Sequence, residues 1–389
     1  MARHFTRIDV VNYRCLQNVS VELGDVNVLF GPNGAGKSTF LDTVCFVRDC
    51  AAMDVGTASG GRNYGLGLRS DKAQDDAPVQ VGMVTTGASY TISVGFSAGR
   101  MEPFAGERLS LVADGRVLVE RGVGSKEANF WHGQLEAMLP RPLRDPDALS
   151  LGLYLNFSDR FIEATRMGDL LESINHYHSR GFNLYRLRND GSTAGPEYGL
   201  SEKSDNLFSV LRNLQTRSAI DGRYDRVVYW MRRAFPGFRG LVLEQRGQGG
   251  VYCHFVQDGR EPVAASGVAD GHLQLLAVLT ALYGGEEASI VLFDEPDLSL
   301  HPWAIATLAD ACREAAEKFG RQVLIATHSP VLLSQFTPDE TLVFEATEGA
   351  TRVTPASRVA GIQDLLDQYA LGSLYMANVI APQGDADAE

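Results

Sequence analysis

The 389 residues are enough for two or three domains, and 44% apolar with 21% charged residues is the composition of a globular chain with a substantial core. A net charge of -13 excludes a surface that coats nucleic acid or an anionic membrane as a whole, so any such contact must be local. No run of 18 apolar residues and no apolar segment within Met1–Val10 suggests a spanning helix or a secretion signal, and five scattered cysteines without C-x-x-C spacing fit a reducing cytoplasm.

Phe5–Val10 and Val19–Leu23 read as strands, and Val26–Phe30 is a short apolar run suited to a buried strand. It stops at Gly31. Beyond the glycines, Phe40, Val44 and Val47 recur at helical spacing. Ala52–Asp75 reads as an irregular connection, followed by alternating strands near Val79–Val84 and Tyr90–Phe96. From about Arg100 to Gly240 the pattern is mixed: strand-like runs at Leu109–Val112 and Leu153–Leu155, helices over Phe161–Ile174, Leu207–Leu214 and Tyr224–Phe235, and no sustained heptads. The last third follows parallel-sheet grammar: helix Leu273–Tyr283, strand Ile290–Phe293, helix Trp303–Lys318 between Pro302 and Gly320, and strand Val323–Ala326. A strand over Thr341–Glu345, a helical stretch over Gly361–Tyr375 and a loose tail from Gly384 to Glu389 complete the chain.

Three stretches carry chemistry. Gly31 to Ser38 (GPNGAGKS) matches G-x-x-x-x-G-K-[ST] between a strand and a helix, the context of a phosphate site. Gly31, Asn33, Gly34, Ala35, Gly36, Lys37, Ser38 and Thr39 are its candidate ATP-binding residues, Lys37 reaching the outer phosphates and Ser38 ligating Mg²⁺. Next, the apolar strand at Ile290 ends in Asp294, a candidate Mg²⁺ ligand, and Glu295, a candidate general base. Then Leu324–Pro330 (LIATHSP) presents His328, which can sense the γ-phosphate or hold the attacking water. Acids and a histidine at strand ends also have bland readings as solvated or hydrogen-bonded termini; their order after the glycine loop favours the catalytic one.

The set GPNGAGKST, FDEPDLSLHP and ATHSP resembles the ABC-type P-loop ATPase head, in particular the soluble RecF, SMC and OLD-like ATPases, as does the opening Asn12–Val19 (NYRCLQNV). The resemblance covers roughly residues 5–50 and 260–346. It implies an α/β head with mixed sheets, ATP and Mg²⁺ as cofactors, and a homodimer with two ATP sites, each completed in trans by a signature motif. The signature candidates are Ser266, Ala269, Asp270 and Gly271, with Ala269 standing where that family usually has serine. Asp297 falls where the family crosses its dimer interface, although a plain loop leading into a helix explains it nearly as well.

The 257 positions from Lys37 to Asp294 imply an inserted α+β or helical lid, expected over 100–240, between head segments 1–99 and 241–346, with 347–389 forming a C-terminal helix and acidic tail. That gap is too long for a compact transporter cassette and too short for SMC arms. The 61 residues after His328 leave no room for the C-terminal nuclease domain of OLD proteins. Segment 179–246 carries 12 Lys and Arg against 7 acids and is the candidate DNA surface, although arginine stems covering helices and pairing with local acids explain it as well. The function expected is an ATP-gated dimeric switch in DNA repair or anti-phage defence; the alternative is an ATPase scaffold that holds a separately encoded effector protein. No membrane partner is expected.

Overall fold

The computed structural model describes residues 4–380, apart from 75, 98, 100, 248, 348, 360, 363, 364, 366, 367 and 378. The expected tail Gly384–Glu389, and part of the helical stretch expected over Gly361–Tyr375, therefore lie outside the described residues; Leu371–Met376 is a helix. Two compact units are formed, one from the described residues of Met1–Gly24, Gly31–Ile174 and Val343–Thr354, the other from those of Asp25–Phe30, Asn175–Leu342 and Pro355–Glu389.

The first unit is built on an antiparallel sheet of eight strands in the order Leu16–Glu22, Arg7–Tyr13, Val79–Val84, Ala88–Phe96, Pro103–Leu111, Val117–Arg121, Glu127–His132, Ala137–Pro142. Alternation decides which face is covered: Tyr90, Ile92 and Val94 are buried while the residues between them are partly exposed. The segment boundary expected at 99/100 falls inside this sheet, because Ala88–Phe96 and Pro103–Leu111 pair along their whole length from Ala88 with Leu111 to Phe96 with Pro103. The helix Lys37–Ala52 buries Phe40, Leu41, Val44 and Val47, the face its spacing foretold. The connection expected to be irregular over Ala52–Asp75 contains two short helices, Val55–Gly60 and Tyr64–Leu68; Asp54 starts the first by accepting the Thr57 N–H at 2.6 Å.

Leu153–Leu155 was expected as strand and is the end of a helical turn, Ser150–Tyr154. The reason lies 43 residues away. Glu107, buried on its strand, accepts the Tyr90 hydroxyl at 2.7 Å, the Leu151 N–H at 3.1 Å and the Ser150 N–H, so a carboxylate caps the turn. Arg121, also buried, lies 4.0 Å from it and donates to the carbonyls of Ser125, Pro146 and Ala148. Removing one partner of a buried charge pair strands the other. Glu107→Ala is expected to lower stability by about 3–5 kcal/mol, read as a drop in urea midpoint, and a loss below about 1 kcal/mol contradicts this reading.

In the second unit Ile290–Asp294, Gln322–Thr327 and Val26–Phe30 are parallel neighbours, with Ile174–His178 flanking Ile290–Asp294. The three parallel strands are fully buried, as continuous apolar runs between helices should be. Asp270–Tyr283 is apolar on every side and forms the middle of the core with Pro302–Phe319, Arg223–Ala234 and Leu207–Thr216. Pro302 opens its helix and Gly320, at φ +60°, closes it in the left-handed conformation. A second sheet pairs Phe238–Arg246 with Gly250–Gln257 and crosses the expected boundary at 240. No helix of the described residues is long and apolar enough to cross a membrane.

Candidate active site

The strand Val26–Phe30 runs straight into the glycine loop. Gly31, Gly34 and Gly36 take φ of +156°, +80° and +99°, values that L side chains rarely adopt. The loop is also held from behind: a Cβ on Gly31 falls 2.1 Å from the Phe344 carbonyl oxygen, and one on Gly36 falls 2.4 Å from the Thr351 hydroxyl. Thr351 donates that hydroxyl to the Ala35 carbonyl at 3.0 Å. Lys37 is buried and its Nζ donates to the carbonyls of Gly31 and Pro32 at 2.7 and 2.9 Å, so the ammonium lies within the curl of the loop. Asn33, Gly34 and Ser38 are exposed, Ala35 is buried, and Thr39 is partly buried.

Does this loop fit a triphosphate? The helix that follows has 16 residues, no acid in its first turn and no side-chain cap at Gly36. Its N-terminal dipole is therefore left for an anion from outside. A Cβ on Gly34 would meet nothing within 4 Å, so one side of the curl is open. For Mg²⁺, the hydroxyl of Ser38 and the carboxylate of Asp294 are hard oxygen donors of the kind that ion prefers. The loop suits a phosphate anion, and each of these two side chains is by its own chemistry a suitable Mg²⁺ donor.

The second unit assembles the acids and the histidine. Strand register pairs Asp294 with Ala326 and Thr327 with Phe30, so three carboxyl ends finish level. In parallel α/β sheets such carboxyl ends are where ligands commonly bind. Asp294 is buried at its strand end. Glu295 comes next, and its N–H donates to the Ala326 carbonyl at 2.8 Å. Its backbone is left-handed, φ +53°, although Pro296 follows and disfavours helical geometry. A residue so placed costs about 1–3 kcal/mol and persists only where neighbours over-determine it.

Those neighbours are named. His328 Nδ1 lies 3.0 Å from Glu295 Oε1, and Arg180 Nη2 lies 2.7 Å from Oε2. The Thr327 hydroxyl donates to Asp297 at 3.0 Å and accepts the Ser329 N–H at 3.0 Å, fixing the loops on both sides of His328. The expected pair Glu295 and His328 is thus brought together. Arg180 was counted only among the arginines of its segment; nothing in its local sequence marks it as a partner of a residue 115 positions away.

The signature candidates surround the start of the helix Asp270–Tyr283. Ser266 lies in a 3₁₀ turn, and Ala269 occupies the N-cap, where serine or aspartate would ordinarily accept a backbone N–H; no side chain does so here. Asp270 is instead paired with Arg188 at 2.6 Å, and the same guanidinium donates to the Val268 carbonyl at 2.7 Å. Gly271 is required by close approach: a Cβ there falls 2.7 Å from the Ser299 carbonyl oxygen. His272 stacks on Phe235 with centroids 3.8 Å apart, and burial pushes its pKa below the ordinary histidine value, which leaves the ring neutral at pH 7.

The arginines of segment 179–246 mostly have partners inside the chain. Arg223 pairs with Asp221, Arg226 with Glu314, Arg239 with Asp258 and Arg246 with Glu244, while Arg232 donates to the Arg239 carbonyl.

Comparison with known proteins bears on the family and the fold. Residues 139–334, half of the chain, match the family described as "AAA domain, putative AbiEii toxin, Type IV TA system", and residues 7–48 match a second family described as "AAA domain". An OLD nuclease of Thermus scotoductus is 44% identical over 41 residues, which are 10% of this chain and 8% of the relative's length. The SMC head solved with the C-winged helix domain of ScpA superposes with a TM-score of 0.50 at 14% identity, over 90% of this chain and 97% of that one. The SMC head domain from Thermotoga maritima is similar at TM-score 0.43 and 12% identity, over 90% of this chain and 98% of that one. By the first of these matches the chain belongs to the AAA domain family so described, and by its likeness to the SMC head bound to ScpA its fold is that of an ABC-type P-loop ATPase head.

Proposed function

We propose that the chain binds and hydrolyses Mg-ATP and works as an ATP-gated dimeric switch in DNA metabolism, in repair or in defence against phage. One observation carries the chemistry: Glu295 and His328 meet at 3.0 Å on neighbouring strand ends, level with the end that leads into the glycine loop. The glycine loop and Lys37 bind the phosphates; Ser38 and Asp294 are the residues we assign to Mg²⁺. When bound, that ion neutralises charge that develops on the transferring phosphoryl group. Glu295 accepts a proton from the attacking water and His328 orients it. The trans site would be completed by the Asp270–Gly271 helix start, which offers backbone N–H groups although Ala269 brings no hydroxyl.

The DNA role draws support from the short likeness to an OLD nuclease and from the positive balance of segment 179–246. A second reading is an ATPase scaffold that grips and releases a separately encoded effector; the internal pairing of Arg223, Arg226, Arg239 and Arg246 favours it, since those guanidinium groups already have acids. The two readings separate on one measurement, ATP turnover with duplex or single-stranded DNA at 50 and 200 mM salt. A DNA switch is expected to turn over at least about threefold faster with DNA at the lower salt and to lose the gain at the higher. An unchanged rate with both DNA forms, and stimulation by a co-purifying protein, selects the scaffold.

A further inference from the structure

Arg180 belongs to a short turn, Ser179–Gly181, that leaves the strand Ile174–His178. That strand is the sheet neighbour of Ile290–Asp294, which leads into Glu295. The ion pair between Arg180 and Glu295 brings together the two segments that follow these strands. The Arg180 N–H donates to His178 Nδ1 at 3.1 Å, which fixes the turn, and the guanidinium reaches Glu295 Oε2 at 2.7 Å. With His328 Nδ1 3.0 Å from Oε1, each carboxylate oxygen has a basic side-chain nitrogen within ion-pair distance.

We propose that Arg180 is a positioning residue for ATP hydrolysis, setting the plane of the Glu295 carboxylate so that a free lone pair faces the water that His328 orients. The proposal rests on the ATPase reading above. Three features support it. A carboxylate offers about four lone-pair directions, so one contact on each oxygen orients the group and still leaves it an acceptor. Glu295 lies on a left-handed backbone just past its strand end, tied to the sheet by its N–H, bonded to the Ala326 carbonyl, so contacts on its side chain help to fix it. Finally, the Arg180 side chain is 62% exposed while that of Glu295 is 20% exposed, which makes Arg180 a poor contributor to the core and a reachable clamp on a sheltered carboxylate. Eight residues further on, Arg188 holds Val268 and Asp270, so the same stretch that braces the base also braces the signature loop.

The test uses the full chain with Mg-ATP, measuring steady-state turnover and, separately, binding of a fluorescent ATP analogue. Arg180→Met, which keeps the stem and removes the charge, is expected to lower kcat by about tenfold with analogue affinity changed less than twofold. Arg180→Lys is expected to recover at least a third of the loss, because an ammonium still reaches one oxygen. In a Glu295→Gln background Arg180→Met should change the residual rate less than twofold, since it acts through Glu295; a merely structural role would lower both backgrounds alike. Turnover by the native chain with Arg180→Met within twofold of it overturns the role of Arg180 alone. A native chain that binds the analogue and never turns over ATP overturns the ATPase reading and this role with it.

Discussion

Glu295→Gln is expected to keep ATP bound while kcat falls by about 100-fold or more, the contribution usual for a positioned general base. The amide keeps the shape of the carboxylate, and its oxygen can still accept from Arg180 or from His328, which lie 2.7 and 3.0 Å from the two carboxylate oxygens. What it loses is the capacity to take a proton. Phosphate binding is assigned to other residues, so analogue affinity should stay within about threefold of native. If the two heads close on ATP and part after hydrolysis, the variant should also accumulate as an ATP-dependent dimer, visible by light scattering on a sizing column with ATP and lost with ADP. A variant that hydrolyses at the native rate removes Glu295 from the mechanism. One that stalls and stays monomeric leaves the base in place and removes the dimeric switch.

How much of this was legible in the residues depends on whether the cause was local. The glycine loop matches a fixed motif, and the strand before it and those ending at Asp294 and Thr327 are short apolar runs closed by glycine or polar residues; the structure has these strands within a residue or two of expectation. Pairing Glu295 with His328 followed from order alone, because parallel neighbours put successive strand ends on one rim. The eight-stranded sheet was only half visible. Its outer strands Glu127–His132 and Ala137–Pro142 are partly exposed, and the last carries Pro140 and Pro142, which suit an edge but erase the alternating signal. The turn Ser150–Tyr154 was misread since its cap, Glu107, comes from another strand. Arg180, Arg188 and Thr351 were missed for the same reason: each acts on a residue at least 80 positions away, and no local pattern encodes such a contact.

Lys37→Ala is the substitution expected to remove nucleotide binding itself. The ammonium is held inside the glycine loop by the carbonyls of Gly31 and Pro32, at 2.7 and 2.9 Å, and it is largely buried there. A buried cation held by carbonyl oxygens at the start of a helix makes the loop attractive to phosphate; without it, the same carbonyls face the ligand uncompensated. Charge-assisted hydrogen bonds contribute about 1.5–3 kcal/mol each, so losing the contacts to the outer phosphates should weaken a fluorescent ATP analogue by about 100-fold or more. The fold should survive, because the helix that follows is anchored by Phe40, Leu41, Val44 and Val47, and circular dichroism should remain native. The contrast with Glu295→Gln is the informative part. If the proposed switch operates, one variant is expected to lose ATP and not dimerise on it, and the other to keep ATP and not let go. Native analogue affinity in Lys37→Ala would mean that the triphosphate is bound elsewhere, and the assignments of Ser38, Asp294 and Glu295 would fall together.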